Sequence, residues 1–159
     1  MAPRLAEQVD SSPPAPVPVV LLAGNPNAGK STVFNRLSGA RARVGNYPGV
    51  TVERRSAPLR LPRGQQVELI DLPGTYSLAP RSPDEMVAVD VLLGRRDDVE
   101  PIDVVLCIVD ASNLERNLYL VSQVLELGLP TVVALNMVDV AQTKGLALDI
   151  ERLRKQFPV

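Results

Sequence analysis

The stretch Gly24-Asn25-Pro26-Asn27-Ala28-Gly29-Lys30-Ser31 decides the fold of this chain. It has the G-x-x-x-x-G-K-[ST] spacing of a phosphate-binding loop, between an apolar strand-like run and a helix-like run. The glycines let the backbone curl, so that successive N–H groups face phosphate oxygens at the positive end of a helix dipole. In such a loop Lys30 reaches the β- and γ-phosphates, and the Ser31 hydroxyl ligates Mg²⁺. The stretch therefore predicts a nucleotide-binding site formed by all of these residues.

The composition is that of an ordinary globular domain. The 159 residues suit one domain with its own core, and 45% of them are hydrophobic. The net charge of −1 gives no sign of a nucleic-acid or anionic-membrane surface. Histidine is absent, and the single Cys107 lies in an apolar run, so we predict a core role for it. No apolar run is long enough to span a membrane and there is no signal peptide, so we expect a soluble chain.

Strand-like and helix-like runs alternate along the chain. Strands are predicted over 17–23, 51–61, 66–70, 104–109 and 131–135. Helices are predicted from the phosphate loop to Leu37, over 84–93, from a capping box of Ser112 and Glu115 to Gly128, and after a cap at Asp149. Loops are predicted over 40–50 and, as a solvated connection, 95–98, and residues 1–16 form a flexible proline-rich tail. The alternation predicts an α/β fold, a mostly parallel doubly wound sheet with one antiparallel edge strand at 51–61.

Two further motifs identify the base of the nucleotide. Asp71-Leu72-Pro73-Gly74 is a D-x-x-G at a strand end, where Asp71 can hold Mg²⁺ through water and the Gly74 N–H can bond the γ-phosphate. Asn136-Met137-Val138-Asp139 is an N-x-x-D, whose Asp139 carboxylate accepts both the N1–H and the N2 amino group of guanine. Adenine lacks that pair of donors and would leave the carboxylate unpaired. Each motif alone is weak, but three in order at strand ends predict GTP or GDP.

The ordered set resembles the translation-factor-type small GTPases. With the segment V-G-N-Y-P-G-V-T-V-E over 44–53, it resembles more specifically the cytosolic G domain of the ferrous iron transport protein B family, from about residue 18 to the end. The resemblance implies the P-loop GTPase fold, with GTP or GDP, Mg²⁺ and K⁺ as cofactors. Residues 44–53 and 71–83 would then be the two switches, which are ordered by the γ-phosphate.

The resemblance also implies roles for single residues. Thr51 would be the switch threonine that closes on Mg²⁺, with Gly49 and Val50 beside the nucleotide. Asn27 would hold K⁺ against the phosphates and supply charge where other enzymes use an arginine; alternatively, it only stabilises the turn of its own loop. Lys30, Thr51 and Asn27 are thus the predicted catalytic residues. Tyr47 lies either beside the nucleotide or exposed to solvent.

The chain departs from the pattern at three places. Thr75 follows the D-x-x-G where many GTPases have a water-orienting glutamine, so we expect slow GTP hydrolysis. Met137 replaces the lysine of N-K-x-D, so we expect weaker guanine affinity. The small-residue motif that contacts guanine O6 would lie beyond Val159 with the last strand and helix, so we interpret the chain as an incomplete G domain over 17–159.

The sequence thus favours a GTP-binding, slowly GTP-hydrolysing regulatory domain on the cytoplasmic side of a bacterial inner-membrane ferrous iron transporter. The resemblance implies a helical regulatory domain and a transmembrane permease as its partners, and no nucleic acid. Two alternatives remain open: a soluble ribosome- or RNA-associated GTPase of the same class, and a non-catalytic guanine-nucleotide-binding module.

Overall fold

A six-stranded sheet lies at the centre of the computed structural model, which describes residues 15–157. The strands are β1 (Val19–Gly24), β2 (Arg43–Asn46), β3 (Glu53–Arg60), β4 (Gln66–Asp71), β5 (Val104–Asp110) and β6 (Thr131–Asn136). The helices are α1 (Lys30–Ser38), α2 (Pro83–Leu92), α3 (Leu114–Glu126), α4 (Val138–Thr143) and α5 (Ile150–Gln156). Most of the predicted proline-rich tail lies outside the described residues.

The sheet is mostly parallel, as predicted. Its strands follow the order β2-β3-β4-β1-β5-β6, in which β4, β1, β5 and β6 run parallel to one another. Strand β3 is antiparallel to β4, which confirms a single reversed strand at about 51–61. The prediction that this strand lies at the edge of the sheet was wrong, because β2 pairs with the outer side of β3 and forms the edge. All four residues of β2 are exposed, so no hydrophobic alternation marked this strand within the predicted loop 40–50.

Alternate residues of β1 face two separate layers of core, which explains the continuous apolar run of that strand. Val19, Leu21 and Ala23 pack on the face covered by α2 and α3, where Cys107 also lies. Leu22 packs on the opposite face with Phe34 of α1. Cys107 is 1% exposed, and burial raises the pKa of its thiol to about 12, in agreement with its predicted core role.

The helix ends follow capping chemistry, with one correction. Asp149 accepts a hydrogen bond from the Arg152 N–H at 2.9 Å and caps α5, as predicted. Ser112 does not cap α3, so the predicted capping box is wrong: Asp110 at the end of β5 instead accepts from the Ser112 N–H at 2.8 Å. A short 3₁₀ turn over Ala111–Asn113 then precedes α3. The helix α4 was not predicted because its six residues are too few for a periodic signal. Over residues 15–157, none of the helices combines the length and apolarity that a membrane crossing requires.

Candidate nucleotide-binding site

The phosphate loop joins β1 to α1 and is curled by two residues in the left-handed region. Asn27 has φ 65° and Gly29 has φ 88°. The Ala28 N–H donates to the Asn25 carbonyl at 3.2 Å, and the Val33 N–H donates to the Gly29 carbonyl at 3.1 Å. A Cβ at Gly29 would overlap the side-chain amide of Asn136. The second glycine of the motif is therefore required both by its backbone conformation and by the closeness of the N-x-x-D segment.

Asn136 ties the N-x-x-D segment to the phosphate loop. Its side-chain amide donates to the Ala28 carbonyl at 2.9 Å. Met137 follows with φ 56° and is the N-cap of α4. Asp139 therefore lies in the first turn of that helix, where it is exposed to solvent. The exposed carboxylate is open to a ligand, while Asn136 has a structural role that the sequence prediction of a nucleotide ligand did not include.

The D-x-x-G segment packs against the other side of the loop. The Thr75 N–H donates to the Gly24 carbonyl at 3.1 Å. A Cβ at Gly74 would lie 3.0 to 3.2 Å from atoms of Pro26, so this glycine permits the close approach of the two segments. The Leu72 side chain is 1% exposed and belongs to the core, so a role for Leu72 at the nucleotide is limited to its backbone. The structure thus brings all three predicted motifs together at the carboxyl ends of β1, β4 and β6.

Three charged side chains meet below the loop. Asp71 is 6% exposed, and its Oδ1 lies 2.5 Å from Lys30 Nζ. Its Oδ2 lies 3.7 Å from Nη1 of Arg55 on β3. The sequence predicted that Lys30 binds phosphate and Asp71 binds Mg²⁺, and the structure pairs the two with each other. Arg55 was missed; only the strand register, which sets Arg55 opposite Asp71, could have indicated it.

A cavity of about 580 Å³ lies against the loop, within the range of small-molecule sites. Its lining comes from the loop, the first turn of α1, the D-x-x-G segment and the start of α2: Asn25, Pro26, Asn27, Gly29, Lys30, Ser31, Thr32, Pro73, Gly74, Ser82, Asp84 and Glu85. A larger cavity of about 730 Å³ lies elsewhere and contains none of the motif residues. The loop backbone, the Lys30 ammonium and the Ser31 and Thr32 hydroxyls on one side of the smaller cavity suit phosphate groups, while Asp84 and Glu85 line its α2 side.

The predicted switch residues Gly49, Val50 and Thr51 do not line this cavity. They are exposed and lie on a turn, closed by a hydrogen bond from the Tyr47 N–H to the Val52 carbonyl at 2.9 Å. Tyr47 is 1% exposed, so the predicted exposure of its ring to solvent is wrong, and the ring does not line this cavity. The 49–51 turn therefore lies outside the cavity at the phosphate loop.

Two arginines hold Tyr47 in place. The guanidinium carbons of Arg54 and Arg96 lie 5.7 and 5.2 Å from its ring centroid. Arg96 also donates to the Pro48 carbonyl at 3.1 Å and to the Asp98 carboxylate at 2.8 Å. Burial raises the pKa of Tyr47 to about 12. The predicted solvated connection 95–98 therefore also has a structural role, because its Arg96 contacts the predicted switch segment at Tyr47 and Pro48.

The donor set suits the cations that the sequence implied. The Ser31 and Thr51 hydroxyls and the Asp71 carboxylate are hard oxygen donors of the kind that Mg²⁺ takes. Asn27 is exposed at the loop, where its amide oxygen suits a monovalent cation. Within residues 15–157 no cluster of three or more His, Cys, Asp or Glu side chains could hold a metal. A magnesium site here would rest on hydroxyl, phosphate and water oxygens around the one buried carboxylate.

Comparisons with known proteins agree with this geometry. The family model described as Ferrous iron transport protein B matches residues 18–159. The Fe(2+) transporter FeoB of Salmonella typhimurium is 50% identical over 136 residues, and that of Escherichia coli strain K12 is 49% identical over 136 residues. Each alignment covers 83% of this chain and 17% of the relative, so the chain spans about a sixth of the length of these relatives.

Solved structures agree as well. An S. thermophilus NFeoB mutant bound to mGDP is 44% identical, with a TM-score of 0.80, and covers 91% of this chain and 53% of its own. The cytosolic domain of L. pneumophila FeoB is 46% identical, with a TM-score of 0.78, over 86% of this chain and 58% of its own. The cytosolic domain of T. maritima FeoB in a GDP form is 39% identical, with a TM-score of 0.81, over 91% of this chain and 55% of its own. The sequence, the three converging motifs and these matches together mean that the chain belongs to the ferrous iron transport protein B family and has the fold of its G domain.

Proposed function

We propose that this chain binds GTP and GDP with Mg²⁺ and hydrolyses GTP slowly, as the cytosolic regulatory domain of a bacterial inner-membrane ferrous iron transporter. The observation that carries the proposal is the convergence of three motifs. Asn136 bonds the Ala28 carbonyl at 2.9 Å, and the Thr75 N–H bonds the Gly24 carbonyl at 3.1 Å. The phosphate loop is thereby joined to the N-x-x-D segment, which would bind guanine, and to the D-x-x-G segment, which would contact the γ-phosphate. Relatives described as bound to mGDP or GDP support the nucleotide.

The chain's residues would divide the work in a way that the geometry supports. Backbone N–H groups of the loop and the Lys30 ammonium would neutralise the phosphate oxygens. Ser31 and Asp71 would hold Mg²⁺, joined by Thr51 once its turn moves inward, and Asn27 would hold K⁺; these ions would supply positive charge beside the phosphates. Asp139 would accept from guanine, with Met137 beside it.

Slow turnover follows from the position after the D-x-x-G. Thr75 is 2% exposed, and its hydroxyl donates to the Ser77 carbonyl at 2.8 Å. A side chain that is buried and engaged in this way cannot orient an attacking water. Arg54 and Arg96, the two arginines that contact Tyr47, do not line the cavity at the phosphate loop. The proposal therefore expects hydrolysis to depend on positioning by the backbone and on cations.

The first experiment tests whether Asp139 recognises the guanine base of the nucleotide. In Asp139→Asn the carboxylate becomes an amide that can donate to the C2 carbonyl of xanthine but cannot accept both guanine donors. We expect affinity for GDP, measured with a fluorescent analogue, to fall by roughly 100-fold and affinity for xanthosine diphosphate to rise. Asp97→Asn, in an exposed loop, is the matched control. Equal affinities of the unaltered chain for GDP and ADP would contradict the proposal.

The second experiment tests the potassium role. GTP hydrolysis is measured in KCl and in NaCl for the unaltered chain and for Asn27→Ala. We expect roughly tenfold stimulation by KCl that Asn27→Ala abolishes, since the ion would supply charge that no arginine supplies. Asn113→Ala, an exposed asparagine without a side-chain cap on α3, should keep the stimulation. Equal rates in both salts would leave Asn27 as a turn residue only.

A further inference from the structure

Arg55 is the second cationic partner of the buried Asp71. Strand register sets Arg55 of β3 directly opposite Asp71 of β4. Its Nη1 lies 3.7 Å from Asp71 Oδ2, while Lys30 contacts Oδ1. The side chain of Asp71 is 5% exposed and that of Arg55 is 23% exposed. The two oxygens of one nearly buried carboxylate are thus shared between two cations.

The guanidinium of Arg55 is fixed by partners of its own. Its Nη2 donates to Asn35 Oδ1 at 2.6 Å. Its central carbon lies 4.8 Å from the ring centroid of Phe34, which is fully buried. The exposed Glu53 carboxylate lies 3.8 Å from Nε. Stacking and a planar hydrogen bond orient a guanidinium more rigidly than solvent does, so Arg55 is not an ordinary surface charge.

Lys30 cannot satisfy Asp71 and the phosphates in full at the same time. If its ammonium turns to the phosphates, the Asp71 carboxylate loses its nearest cation. A buried carboxylate that has lost its partner is costly, and it relieves the cost by adopting another orientation. Arg55 contacts the other oxygen and is held by α1, so it can stay when Lys30 leaves.

We infer that Arg55 is a positioning residue, which keeps the Asp71 carboxylate oriented while Lys30 binds phosphate, and thereby sets the Mg²⁺ requirement of nucleotide binding. The inference rests on the proposed function. Arg55 lies outside all three motifs, and the inference gives it a part in cation binding.

The test is a Mg²⁺ titration of the affinity for a fluorescent GDP analogue. In Arg55→Gln, which removes the charge, we expect the Mg²⁺ concentration for half-maximal affinity to rise roughly tenfold. In Arg55→Lys, which keeps the charge but loses the planar fork, we expect a rise of roughly threefold. Arg60→Gln, an exposed arginine on the same strand, is the matched control and should leave the value unchanged.

A purely structural role for Arg55 predicts a different result. It would lower the unfolding temperature without nucleotide and leave the half-maximal Mg²⁺ concentration within twofold of the unaltered chain, which would overturn the inference. If Arg55→Gln does not fold, as judged by circular dichroism, Asn35→Ala replaces it, because this change removes only the partner that orients the guanidinium. A rise of roughly threefold is then expected, and no rise overturns the inference. Failure of the unaltered chain to bind the analogue would instead contradict the proposed function.

Discussion

The phosphate loop and the 47–52 segment are both turns in this fold, but they are held in different ways. The loop over 24–31 is bonded by Thr75 after the D-x-x-G, by α1 and by Asn136 at the end of β6. The 47–52 segment exposes residues 48–51 and is held at its buried ends, Tyr47 and Val52, and by the Arg96 hydrogen bond to Pro48. A loop bonded by several elements keeps one conformation, whereas a turn that is anchored at its ends can change the position of its exposed residues at lower cost. The difference suits a fixed phosphate site and a segment that responds to it.

Gly29→Ala should have the largest effect, because it changes the phosphate loop, the more firmly held of the two regions. The new Cβ meets the Asn136 amide, and the backbone has φ 88°. We expect a loss of about 3 kcal/mol in the free energy of unfolding and a more than roughly 100-fold loss of GDP affinity. Urea denaturation and a fluorescent GDP titration measure the two. Gly145→Ala has φ 72° but open space around it, so it should cost only about 1 kcal/mol. Similar values for both variants would contradict the role assigned to Asn136.

Alkaline pH tests the burial of Tyr47, which holds one end of the 47–52 segment. The folded-state pKa of Tyr47 is about 12 and the unfolded value is about 10. Below pH 10 both states hold the proton, and between pH 10 and 12 only the unfolded state releases it, so stability falls as pH rises. We expect Tyr47 to contribute about 3 kcal/mol of loss over this window in urea denaturation.

Tyr47→Phe isolates that contribution. The Tyr47 hydroxyl is buried without a hydrogen-bond partner among the described residues, so its removal should change stability at pH 7 by about 1 kcal/mol or less. Between pH 10 and 12 the variant should lose less stability than the unaltered chain. Tyr119→Phe, at a tyrosine that is 57% exposed, is the control and should follow the unaltered chain. Parallel curves for all three proteins would mean that Tyr47 is not buried in solution.

Arg96→Ala should have a smaller effect, confined to the responsive segment. It removes the hydrogen bond to the Pro48 carbonyl and one cation–π contact on Tyr47. We expect the Tyr47 and Val50 amides to exchange roughly tenfold faster, while the Val33 amide at the phosphate loop is unchanged. Hydrogen exchange followed by NMR measures this. The neighbouring Arg95→Ala, which only loses an exposed pair with Asp90 at 3.8 Å, should leave all of them unchanged. Faster exchange at Val33 would mean that the two regions are not independently held.

Local sequence was sufficient for most of the fold. The strands β1, β5 and β6 and the helices α1, α2 and α3 were predicted because apolar runs and periodic faces mark them. The edge strand β2 was missed, because its stability comes from pairing with β3 and all of its residues are exposed. The Ser112 error has a different cause: Asp110 at the end of β5 accepts from the Ser112 N–H and caps a 3₁₀ turn, so α3 begins later than the capping box predicted.

The sequence by itself determined where the site lies and which ligand class it suits. The spacing of the phosphate loop, the D-x-x-G and the N-x-x-D is a property of short backbone segments, so it can be recognised without coordinates. Only the tertiary structure decided that Lys30 and Arg55 share Asp71, and that Arg96 holds Pro48 across 48 residues of sequence. These contacts depend on strand register and on how distant loops pack, and neither is encoded in the spacing of a local motif.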